Sequence, residues 1–212
     1  MLKSDAILRP ITEEMRVEAK QQQAWLHNFH QGNSTTRAVT PNRDIIGDLA
    51  HQAVERLLDE LSIDYQSTRK VRLDGGDELD IVVMGEKWDV KGTRLPATEF
   101  FVFDKQMRNP KVNELDKLVF VQISRDETEA RIFSPCPVSL FKEKKQFVPA
   151  GSIYNFQYDN WGVALFYLPS FKDWIMGNQA AIECGLTKAE LVVDKAFSKR
   201  YNIDRVDLDT GN

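Results

Sequence analysis

Asp80, Asp89 and Lys91 carry side chains that could do chemistry together. They lie in the segment DELDIVVMGEKWDVKGTR, residues 77–94. Asp80 opens the apolar run Ile81-Val82-Val83, which reads as a strand. Met84-Gly85-Glu86-Lys87 reads as a turn, and Trp88-Asp89-Val90-Lys91 begins the returning strand. Side chains alternate along a strand, so Asp89 and Lys91 share one face while Trp88 and Val90 take the other. A tight hairpin brings Asp80 level with Asp89, so that two carboxylates and an ammonium converge at one end of a sheet. Mg²⁺ wants hard oxygen ligands and is often held by a carboxylate or two plus substrate phosphates. A lysine beside it can orient a water or stabilise charge on a phosphate.

This pattern resembles the PD-(D/E)XK nuclease superfamily. Asp80 matches the motif's aspartate and Asp89-Val90-Lys91 its (D/E)XK, with Leu79 where the proline would stand. The resemblance covers residues 44–135 and implies a restriction-endonuclease-like core, an α/β fold with a central mixed β-sheet flanked by helices. It also implies a metal-dependent deoxyribonuclease. Asp80 and Asp89 would hold Mg²⁺, with Mn²⁺ as a substitute, and the Val90 carbonyl would be a further ligand. Lys91 would orient the attacking water, and the product would keep its phosphate on the 5′ end. Endonuclease action on double-stranded or branched DNA is the expected form, since no motor or clamp accompanies the motif. Restriction, phage defence and recombination fit equally. Thr93 and Arg94, just past the lysine, are implied phosphate contacts. The stretch GDLAHQAVERLL resembles the superfamily's first-helix signature, but His51 stands where a glutamate is expected. Gln106 is followed four residues on by Pro110 rather than tyrosine, so the Gln-x-x-x-Tyr branch is not supported.

The competing reading is a degenerate member of the same fold that binds nucleic acid or a protein without cutting. The departure at His51 keeps it open, and the Asp80, Asp89, Lys91 set weighs against it. A surface hairpin with ordinary exposed charges would also account for the motif.

The elements that must position these residues follow from periodicity. Residues 12–30 read as a helix with early glutamates suited to its dipole. It lies outside residues 44–135 and could brace the core, mediate a homodimer or touch substrate. A second helix, from Asp44 to Leu61, carries the stripe Ile46, Leu49, Ala50, Ala53, Leu57, Leu61. His51 falls roughly 110° from that stripe's centre, at its border with solvent, while Asp48 and Glu55 lie nearly opposite. If the helical acid is lost, Asp48, Glu55 or Glu78 could replace it. Tyr65–Leu73, Lys117–Ser124 and Glu129–Phe133 read as strands. Thr98–Lys111 is ambiguous between strand, helix and loop. Phe141–Phe147 reads as a short basic helix, Gly162–Leu168 as a buried strand and Phe171–Asn178 as a helix anchored by Trp174. Aromatics in this region could stack bases, but core packing is the simpler role. Thr187-Lys188-Ala189-Glu190 forms a capping box for a last helix reaching Tyr201.

Composition bounds the alternatives. The 212 residues suit one domain: a core over 44–135, an N-terminal helical extension over 1–40 and a C-terminal extension over 136–212 packing on the core. No apolar run approaches a membrane span, and the opening MLKSDAILRP has no signal-peptide core, so no membrane partner and a cytoplasmic, reducing setting are expected. Cys136 and Cys184 are far apart in sequence and read as free buried thiols. A net charge of −4 argues against a broad nucleic-acid-binding coat but allows a local basic groove. Arg69, Lys70 and Arg72, and Lys105, Arg108 and Lys111, flank the acidic hairpin and are candidate DNA phosphate contacts. Lys142, Lys144 and Lys145 form a third basic cluster. His27 and His30 have metal-pair spacing, but nothing nearby completes a zinc set. No phosphate-cradling glycine motif or nucleophile-elbow serine appears.

Overall fold

The structure is a computed structural model that describes residues 6–32, 41–67, 81–94, 99–103, 113–151, 158–171, 173–174 and 191–192. It is a mixed α/β protein. Strands β1 (Ala6–Pro10), β2 (Tyr65–Ser67), β3 (Ile81–Val83), β4 (Glu86–Arg94), β6 (Lys117–Ile123), β7 (Glu129–Phe133), β8 (Cys136–Pro137) and β11 (Leu191–Val192) build one mixed sheet. Its order is β11-β1-β7-β6-β4-β3-β2, with β8 also paired to β6. Only β4 and β6 run parallel among these described pairs. A smaller sheet has the order β5-β10-β9, from β5 (Glu99–Phe103), β10 (Asn160–Ala164) and β9 (Gln146–Val148). The described helices include α1 (Glu13–Gly32), α2 (Pro41–Glu60) and the short α3 (Val138–Lys144).

The β3–β4 hairpin turns on Met84 and Gly85, whose φ values are 48° and 82°. Two positive φ values make the two-residue turn whose twist matches the flanking strands. Glycine tolerates that conformation freely and methionine does not. The turn is therefore tighter than the four-residue version expected from sequence, and β4 starts at Glu86.

Alternation along β4 sorts its side chains as the sequence implies. Trp88 and Val90 are buried and face α2. Gly92 continues that face and lets the helix approach closely: a Cβ there would lie 2.7 Å from the Ile46 carbonyl oxygen. Across the parallel pairing, Val119 partners Val90 and Val121 partners Gly92, and both valines join the same core. Trp88 also meets Trp174 edge-on at 5.7 Å, so Trp174 is the anchor its position suggested.

The opposite face of the sheet has its own core. Leu118 and Phe120 pack with Val102, Val138, Phe141, Val163 and Leu165. The Phe120 and Phe141 rings are 6.1 Å apart. So α3 and the small sheet cover the face that α2 does not.

Several expectations needed correcting. Leu191 and Val192 are not helical; they pair with Ile7 and Ala6 as an edge strand. Pairing of these two residues with the open edge of β1 overrides the local capping signal; the rest of 187–201 lies outside the described residues. The N-terminal segment contributes β1, which pairs along its length with β7, before α1 begins. The basic helix starts three residues early, at Val138, and gives way to β9. The expected buried strand ends at Ala164, and Leu165–Tyr167 form a helical turn that exposes Phe166 and Tyr167.

Candidate active site

Asp89 and Lys91 stand on β4, on the face away from α2. Their strand partners are Leu118 and Phe120. The Lys91 Nζ lies 2.7 Å from the Asp89 Oδ2, with the lysine side chain 22% and the aspartate side chain 18% exposed. This is an ion pair at the margin of the second core, screened from bulk solvent on most sides yet still reachable. Such a setting strengthens electrostatic contacts relative to open water. A largely covered but still accessible carboxylate oxygen beside an ammonium can accept a hard cation or orient a water.

The hairpin register bears on Asp80. The described pairs are Val83↔Glu86, Val82↔Lys87 and Ile81↔Trp88. The next antiparallel step would be Asp80 with Asp89, the pairing expected from sequence, but Asp80 itself lies outside the described residues. Among the described residues no three His, Cys, Asp or Glu side chains gather. Of the expected metal ligands, the structure therefore describes Asp89 and Val90.

The beginning of β4 is tied down independently of the ion pair. Asp116 accepts a hydrogen bond from the Lys87 N–H through Oδ2 at 2.8 Å and donates its own N–H to the Lys87 carbonyl at 2.9 Å. The Asp116 carbonyl accepts the Val138 N–H at the start of α3. The Trp88 indole donates to Glu86 at 3.1 Å. These bonds fix the strand carrying Asp89 against β6 and α3.

His51 departs from its expected place. It is 4% exposed rather than at the solvent border, and its Nε2 lies 3.8 Å from the Glu55 Oε1. Glu55 is itself mostly covered, with a side chain 14% exposed, and so does not face solvent opposite the stripe. The cause is that α2 is buried on more than one side. On one flank Gln52 donates to the Met15 carbonyl of α1 at 3.2 Å and to Asp48 at 2.8 Å. On the other, His51 shares a helix surface with buried Val54 and Leu58.

Among the expected phosphate contacts, Thr93 follows Lys91 on the same face of β4 and pairs with Gln122. Arg94 is exposed and ion-paired with Glu127 in the β6–β7 turn. That turn is preformed: Asp126 accepts from the Ser124 and Thr128 hydroxyls, and the Ser124 bond above all holds its carboxyl below the usual range. Arg69, Arg72, Lys70 and Glu78 lie outside the described residues, as do Lys105, Arg108 and Lys111 and the side chains of His27 and His30.

Gln122 was missed by sequence reasoning. It is fully buried, and in register it stands between Thr93 and Arg131. Asp89, Lys91, Thr93, Gln122 and Arg131 thus form a polar row on one sheet face. The signal was available: a glutamine interrupting the apolar run KLVFVQI has a buried amide that must be satisfied. Cys136 is buried and free, and burial pushes its thiol up to about 12. It is a packing residue, not a nucleophile.

No protein-family model, no curated protein and no solved structure matches this chain. Among the described residues no helix is long and apolar enough to cross a membrane.

Proposed function

We propose that the chain is a metal-dependent DNA endonuclease of the restriction-endonuclease-like kind, with its centre on the β3–β4 hairpin. The observation that carries this reading is the Asp89–Lys91 pair: two chemically competent groups on one face of one strand, 2.7 Å apart and partly shielded. The order of elements supports it. Helix α2 precedes the antiparallel set β2, β3, β4, and β6 then returns parallel to β4. This is the arrangement that the sequence resemblance implies. The donor set fits a hard cation, since Asp89 offers carboxylate oxygens and Val90 a carbonyl, with Asp80 as the expected second carboxylate. When bound, Mg²⁺ or Mn²⁺ would supply Lewis-acid stabilisation of the phosphoryl oxygens and a more acidic water. Lys91 would hold the water's orientation and offset charge that develops in the transition state. Thr93 would donate its hydroxyl to a phosphate oxygen.

The same ion pair also favours a second reading. A lysine satisfied by its neighbouring aspartate can simply be a stable charge pair in a non-catalytic module that binds nucleic acid. Single-turnover kinetics separate the two. Lys91→Ala should slow cleavage of bound DNA by about 100-fold or more, with little change in affinity. Loss of affinity at an unchanged rate for bound substrate would reduce Lys91 to a phosphate contact.

A further inference from the structure

We propose that the corner built by α3, β9 and β10 is a stacking platform for single-stranded DNA. This deepens the nuclease reading, and rests on it for its purpose, by naming a substrate with an unpaired strand. Among the described residues every exposed aromatic lies in one stretch of chain: Phe147, Tyr158, Phe166 and Tyr167. Two lysines sit among them. The Lys145 Nζ lies over the Trp161 ring at 4.1 Å from its centroid, and the Lys144 Nζ lies 5.7 Å from that of Tyr167. Phe147 meets Trp161 edge-on at 5.2 Å, and Phe166 lies 4.2 Å from Tyr167. Glu143 offsets one charge through Lys144, and Lys142 points its ammonium elsewhere, to Asn113 at 2.8 Å.

The chemistry of the corner selects the occupant. Half-exposed rings offer π-faces, and the ammonium groups beside them offer phosphate contacts at similar spacing. An apolar protein surface would have to desolvate these ammonium groups, whereas a phosphodiester backbone neutralises them. Duplex DNA keeps its bases stacked on one another, so only an unpaired strand can use the rings. The location agrees. Phe141 of α3 packs on Phe120, the strand partner of Lys91, so the corner belongs to the layer on the Asp89 and Lys91 side of the sheet. A strand held here lies on the same side of the sheet as Asp89 and Lys91 rather than behind α2.

The test is fluorescence anisotropy of the full chain in EDTA, with a labelled oligothymidine of about 20 nucleotides and a blunt duplex of equal length. The single strand should bind more tightly than the duplex. Phe147→Ala, at an exposed site, should keep the melting temperature and weaken single-strand binding about tenfold. A Lys144→Gln, Lys145→Gln double variant should also flatten the salt dependence, by about 1.4 in the logarithmic slope. Unchanged single-strand affinity in both variants overturns the proposal. So does an effect of Phe147→Ala on self-association alone, read by sedimentation, which would make the corner a protein interface. Weakened binding in these variants, with no Mg²⁺-dependent cleavage by any form, would keep the platform and remove the nuclease reading. Wild-type binding and cutting by both variants would do the reverse.

Discussion

Replacing Gly92 by alanine places a methyl group in the seam between β4 and α2. Its Cβ would lie 2.7 Å from the Ile46 carbonyl oxygen and 2.8 Å from the Ala50 Cβ. Ordinary contact begins near 3.4 Å, so strand and helix must part by about 0.7 Å at Ile46. Neither obstacle can swing away: one is backbone, and the other is a methyl fixed to the helix. Overpacking of this kind costs about 1–3 kcal/mol, and two rigid contacts place Gly92→Ala near the upper end, about 2–3 kcal/mol. For a chain of this length that lowers the melting temperature by about 4–12 °C. Gly47 supplies the matched control. It is exposed on α2 with nothing within 4 Å of an added Cβ. Gly47→Ala should therefore gain about 0.5–1 kcal/mol, because alanine loses less backbone entropy in a helix. Circular dichroism melts and urea titrations of the two variants should move in opposite directions. A Gly92→Ala protein that melts at or above the wild-type temperature would refute the close approach of α2 to the strand bearing Asp89 and Lys91.

Two further predictions concern His51 and Cys136. If His51 serves in place of the helical acid, His51→Glu should keep or raise Mg²⁺-supported cleavage and shift preference away from Mn²⁺, since carboxylate is the harder ligand. Identical metal profiles for wild type, His51→Glu and His51→Ala would put His51 outside the site and make its buried contact with Glu55 purely structural. The Cys136 thiol is raised in the fold from 9.0 to about 12, chiefly by burial. Its contribution to stability is complete below pH 9.0 and is lost as pH rises toward about 12. In a Cys184→Ser background, urea titrations should show that alkaline loss and Cys136→Ala should remove it. The same slope in both proteins would contradict the burial argument.

Much of the sheet was legible because its strands obey simple periodicities. The run KLVFVQI and the alternation of Trp88 and Val90 against Asp89 and Lys91 each contain their own geometry, and β6 and β7 appear where the sequence places them, whereas β5 falls in a stretch that local pattern left open between strand, helix and loop. What was not legible depends on partners remote in sequence. Leu191–Val192 became a strand because β1 offers an edge, which no local pattern at 187–201 encodes. His51 is buried because α2 is covered on both flanks, and a helical wheel computed from one stripe cannot register a second covering surface. The exposed rings of Phe166 and Tyr167 were hidden inside an apolar run. The helical turn after Ala164 reverses the strand's alternation, so hydrophobicity alone could not tell core from surface there. For the candidate site, the Asp89–Lys91 proximity follows from strand alternation, whereas Gln122 joins their face only through the parallel β4–β6 register.

The central claim is that Asp89 and Lys91 belong to a metal-dependent nuclease centre, and nicking of closed circular DNA that carries an unpaired bubble tests it most directly. Wild type and Asp89→Asn, matched for melting temperature, are incubated with Mg²⁺ or with EDTA. The amide keeps the shape of Asp89 and removes the charge that would hold the cation. Wild type should nick and linearise the circles with Mg²⁺ and leave them intact in EDTA, while Asp89→Asn should lose about 100-fold or more of the rate. Cleavage by Asp89→Asn at the wild-type rate, or closed circles that survive the wild-type protein in Mg²⁺ and in Mn²⁺ alike, would contradict it.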